Sequence, residues 1–118
     1  MRNTMKKDII NINEGIVKNF VESLRPEDLE IRKQVDFGYS YNGQVIEIFE
    51  IRPAWDNPKE IMHLAFAKLR YTKTKSNWKL YWMRGNLKRV VYEEFPSNIT
   101  LANVLTVINE DKHGCFFG

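Results

Sequence analysis

The residues best suited to chemistry lie between Ala65 and Tyr92, in AFAKLRYTKTKSNWKLYWMRGNLKRVVY. Lys68, Arg70, Lys79, Arg84 and Lys88 can hold phosphate or carboxylate oxygens, and Tyr81 among them offers a ring on which a nucleobase can stack. Residues 61–92 hold eight Lys/Arg and no acid, against ten basic and fifteen acidic residues elsewhere, so a net charge of +3 hides a lopsided distribution. Arg52 and Trp55 add a cation and an aromatic at a proline-flanked loop, where Trp55 can line a pocket mouth or cap the sheet end. The pattern points to a surface for an anionic partner, nucleic acid first and an acidic protein second. A solvated sheet face with edge lysines that deter aggregation has the same composition and stands beside those readings.

Catalytic arrangements are poorer. Cys115 and His113 have the atoms of a nucleophile and a base, but a Cys between Gly and Phe is more simply a small buried hydrophobe. Two histidines fifty residues apart and one cysteine make no metal-ligand spacing. Asp36 and Glu50-Ile51-Arg52 suggest a small metal-dependent phosphodiesterase, which needs its acids at one end of one sheet face. If Asn42-Gly43 closes a two-residue turn, Asp36 stands opposite Phe49 and Glu50 points to the other face. Glu50 and Arg52 then read as a strand-surface ion pair. No catalytic residue, metal site or cofactor is expected.

The elements that must position these groups follow from periodicity. Ile9, Ile12, Ile16, Phe20 and Leu24, with Val17 and Val21, form an amphipathic stripe over a helix from Ile9 to Leu24, with Asp8 as its cap and Arg25-Pro26 as its stop. Leu29 to Tyr41 alternates as a strand, broken only at Lys33, and Gln44 to Arg52 returns after Asn42-Gly43. In the next strand Leu64, Phe66, Lys68, Arg70 and Thr72 alternate with His63, Ala65, Ala67, Leu69 and Tyr71, which places the two cations on one face. Trp78, Leu80 and Trp82 share a core face opposite Lys79, Tyr81 and Met83. Arg84-Gly85-Asn86-Leu87 reverses the chain into a fifth strand, Lys88 to Tyr92. Ser97 or Thr100 caps a second helix whose buried stripe is Leu101, Val104, Leu105 and Ile108, ending at Asp111 and Lys112. Phe116 and Phe117 are too apolar to leave in water, so the tail is expected to dock on the sheet, with a short strand as one form.

The chain has 118 residues, enough for one domain with a core that needs no disulfide or metal. Hydrophobic residues make up 43% and charged residues 28%, as in an ordinary globular protein. A single cysteine fits a reducing compartment, no run approaches the ~18 apolar residues of a spanning helix, and the first residues lack an export signal. A cytoplasmic location is the expectation, with no membrane partner.

Arg52-Pro53 with Trp55 after a strand, Ala67-Lys68 within the next, Trp78-Lys79-Leu80-Tyr81-Trp82 after a basic loop, Tyr92 before a proline, and the GCFFG ending together carry a family resemblance. Over residues 45–118 the chain resembles a small bacterial family catalogued as domain of unknown function 3024. Members of that family often have a Trp-His pair where Arg89 and Val90 stand here, so a role for that histidine does not transfer. The resemblance implies a compact stand-alone bacterial domain and no assigned activity. The expectation is an α+β fold: an N-terminal helix, a five-stranded antiparallel meander, a C-terminal helix and a docked tail, with helices on one sheet face. Its basic face would bind an anionic partner, and the two free sheet edges allow pairing into a homodimer.

Overall fold

Five strands of alternating residues pair in chain order into one antiparallel sheet: β1 (Asp36–Tyr41), β2 (Val45–Pro53), β3 (Ile61–Thr72), β4 (Asn77–Met83) and β5 (Arg89–Glu94). The computed structural model describes residues 4–83 and 88–117, and for residues 4–11 the helical backbone alone. Helix α1 (Thr4–Leu24) precedes the sheet, a short helix α2 (Leu29–Arg32) joins it to β1, and α3 (Leu101–Glu110) follows β5. The expected α+β meander is the observed fold.

The helices cover one sheet face because their apolar stripes match it. Val17 and Val21 from α1 and Leu101, Val104, Leu105 and Ile108 from α3 bury against Ile46, Ile48, Ala67, Leu69, Trp78 and Leu80 of the sheet. In β2, β3 and β4 the buried apolar residues fall at every second position, and the register brings Ile46 opposite Leu69 and Leu69 opposite Leu80. Trp78 is buried and Trp82 packs against the same cluster, as the strand pattern predicts. The opposite face, carrying Glu47, Lys68, Arg70, Lys79 and Tyr81, has no helix over it among the described residues.

Several boundaries differ from the sequence reading. Helix α1 begins at Thr4, so Asp8 lies inside it and does not cap it. Ile12 is 60% exposed and drops out of the buried stripe. The segment Leu29–Arg32 is helical, not strand, because the Asp28 side chain accepts a hydrogen bond from the Glu30 N–H at 2.8 Å and starts a turn there. Leu29 and Ile31 consequently stay exposed, and β1 shrinks to Asp36–Tyr41. Strand β5 is shifted as well, to Arg89–Glu94. The Arg84–Leu87 reversal lies outside the described residues.

The β1–β2 turn has Gly43-Gln44 at its centre, not Asn42-Gly43. The Asn42 N–H donates to the Val45 carbonyl at 3.2 Å, Gly43 takes φ +96°, and Asn42 Oδ1 accepts from both the Gln44 and Val45 N–H groups. A glycine with positive φ at the first central position suits a tight hairpin. Asp36 is therefore opposite Ile51 and not Phe49. The slip is an even number of residues, so every side chain keeps its face.

Strand β3 does not alternate without interruption. Its register against β2 jumps from Ile48↔Ala67 to Phe49↔Ala65, leaving Phe66 as an extra residue. Phe66 thus turns to the helix-covered side, where it packs with Phe37 and Phe117, while Lys68 and Arg70 stay on the open side.

After α3, capped by Thr100 and closed by Asp111 in the left-handed region, the chain folds back. Asp111 Oδ1 and Oδ2 accept from the N–H groups of Phe116 and Phe117 at 2.9 and 2.8 Å. Phe116 buries against Tyr92, and Phe117 meets Phe37 and Phe66. The tail docks as expected, held by a carboxylate clamp and not as a strand.

Candidate functional site

The open sheet face owes its charge to β3 and β4. Lys68 and Arg70 stand two apart on β3 and so point the same way. Across the β3–β4 ladder, Arg70 faces Lys79 and Lys68 faces Tyr81. Lys68 is half-buried, with its ammonium 5.5 Å from the centre of the Tyr81 ring. Burial, and after it the guanidiniums of Arg89 and Arg70, push the Lys68 ammonium below the ordinary lysine range; Glu47 acts weakly the other way. Among the described residues neither Lys68 nor Arg70 has a carboxylate within ion-pair distance.

Other cations of the face are already matched. Lys79 lies 3.9 Å and Lys75 3.2 Å from the Glu94 carboxylate, which Asn77 and Lys75 hold below the usual carboxylate range. Arg89 of β5 reaches across to Glu47 of β2 and forms an ion pair with it. Glu47 and Glu94 lie outside the acid-free segment, so a count along the chain missed them. Only the strand register brings them beside the lysines.

The structure thus unites Lys68, Arg70, Lys79 and Tyr81 and adds Arg89 and Glu47. Of these, Glu47, Lys68, Tyr81 and Arg89 line a shallow dip in the surface together with Ala65, and Arg70 and Lys79 are not part of its lining. Lys88 is exposed one residue before β5, and Arg84 lies outside the described residues. Arg52 is elsewhere: it pairs with Glu50 at 2.6 Å, the strand-surface ion pair the sequence suggested. Trp55 is 93% exposed at the β2–β3 connection and caps nothing. Tyr81, with Lys68 over its ring, is less free to stack a base than its sequence position implies.

The acid pair of the phosphodiesterase reading does not converge. Asp36 is engaged by Arg25, whose Nε and Nη2 donate to its two oxygens at 2.9 Å each, and Glu50 points to the other face. Cys115 Sγ faces the His113 backbone carbonyl at 4.0 Å, and the His113 ring lies against Tyr92.

No curated protein and no solved structure matches the chain. The model of a family described as domain of unknown function (DUF3024) matches residues 5–118, essentially the whole length.

Proposed function

We propose that this chain, which belongs to the DUF3024 family, is a cytoplasmic binding module whose open sheet face engages the phosphates of nucleic acid. One observation carries the reading: Lys68 stands half-buried near Arg70 and Arg89, with no carboxylate within ion-pair distance among the described residues. A surface built only for solubility gains nothing by desolvating an ammonium next to two guanidiniums, since both effects disfavour its charge. A bound phosphate reverses both. A flat, strand-built surface with cations spaced along it also suits an unpaired strand better than a groove-reading helix does.

The test is fluorescence anisotropy with labelled single-stranded RNA, single-stranded DNA and duplex DNA at two salt concentrations. The proposal expects binding that weakens steeply with salt, because phosphate contacts release counterions. It also expects binding to be lost when Lys68, Arg70 and Lys79 are replaced by Ala. No binding to any probe at low salt would retire nucleic acid and leave an acidic protein as the partner to seek.

A further inference from the structure

The Arg89–Glu47 ion pair is unusual in its reach. Arg89 sits on β5 beside Met83 of β4, and Glu47 sits on β2 beside Lys68 of β3, so the bridge passes over two intervening strands. Both residues line, with Lys68, Tyr81 and Ala65, the shallow dip in the open face. Glu47 is the cross-strand neighbour of Lys68, yet its carboxylate engages Arg89 while the Lys68 ammonium lies over Tyr81. Lys68, without a carboxylate within ion-pair distance among the described residues, therefore stands near Arg89, which an acid from across the sheet neutralises.

We infer that Glu47 is a built-in competitor for Arg89, displaced when a phosphate of a bound single strand takes the place between Arg89 and Lys68. The inference rests on the reading above and names the residues that receive the phosphate. Both side chains of the bridge are partly exposed, 45% for Arg89 and 29% for Glu47, and a pair of that kind is weakly held. A phosphate offers Arg89 the paired oxygens that a carboxylate does. It also brings charge to Lys68, which Glu47 leaves unpaired. Glu47 would lower affinity in exchange for discriminating against weaker anions, since only a ligand that satisfies both cations repays the lost bridge.

The experiment is a double-mutant cycle read by anisotropy of labelled oligothymidylate, with the wild type, Glu47→Gln, Arg89→Gln, the double variant and Lys68→Ala. Glu47→Gln is expected to bind about two- to fivefold more tightly than wild type, with the salt slope unchanged because Arg89 meets the phosphate in both. Arg89→Gln should bind more weakly, and adding Glu47→Gln to it should restore nothing. Two results overturn the inference alone: wild-type affinity in Glu47→Gln while Lys68→Ala loses binding, or equal tightening by Glu47→Gln with and without Arg89, which would mark a general charge effect. Absence of binding by every variant overturns it together with the function it rests on.

Discussion

Asp36 ties the end of α1 to the first strand, and its chemistry makes the junction pH-dependent. Arg25 donates twice to its carboxylate and holds it below the usual carboxylate range. Replacing Asp36 by Asn should destabilise the protein by about 1–2 kcal/mol, the value of charged hydrogen bonds discounted for partial exposure, and lower the thermal midpoint by several degrees. A depressed folded-state value stabilises above the ordinary carboxylate range and is lost as pH falls through the folded value. The gap between wild type and Asp36→Asn should accordingly close in acid, as melts from neutral to strongly acidic pH would record. Gly38 makes a second demand at this scale. A Cβ there would sit 2.8 Å from Phe49 Cε1 and 3.2 Å from Ile51 Cδ1, and the Phe49 ring is itself stacked on His63. Gly38→Val should cost about 1–3 kcal/mol in urea denaturation by overpacking that site. Nothing in the sequence marks Gly38, because its neighbours depend on a cross-strand register that the Asn42-Gly43 pair alone misplaces. The charged residues of β3 and β4 were legible, since strand period two places them without knowledge of partners.

At the scale of elements, α3 was readable almost entirely, because its stripe, its Thr100 cap and its Asp111 stop are all local signals. Thr100→Ala should cost about 1 kcal/mol by freeing the Asn103 N–H. The tail depends on a longer connection. Asp111→Ala removes the acceptor for two backbone N–H groups, so hydrogen exchange at Phe116 and Phe117 should accelerate strongly while the β3 and β4 amides keep their protection. Equal acceleration across the sheet would mean that the clamp supports the whole fold and not the tail alone. Where sequence reasoning failed, local and non-local signals conflicted. Leu29 and Ile31 alternate like a strand, yet the Asp28 cap directs the backbone into a helical turn and leaves both side chains exposed. The bulge at Phe66 is invisible in a row of alternating residues and appears only against β2. It matters for the proposed site, because it lets one strand send Phe66 to the tail and Lys68 to the open face.

For the molecule as a whole, the described architecture is one helical layer against one sheet, 44 × 39 × 21 Å overall. No helix among the described residues is long and apolar enough to cross a membrane. The helices bury one face, and the other carries the charge. Chain order revealed the charge imbalance but overstated it, because Glu47 and Glu94 return to the basic segment through strand pairing and occupy Arg89, Lys75 and Lys79. What survives is a smaller centre around Lys68 and Arg70, and replacing each by Ala should reduce the salt slope for a single strand by about 0.7. The most direct test of the central claim is amide chemical-shift mapping on titration with a short single-stranded oligonucleotide at low salt. The account predicts shifts concentrated at the open-face positions of β3 and β4, from Lys68 to Arg70 and from Lys79 to Tyr81, with α1 and α3 quiet. Shifts confined to the helical side, or none at all, would contradict it.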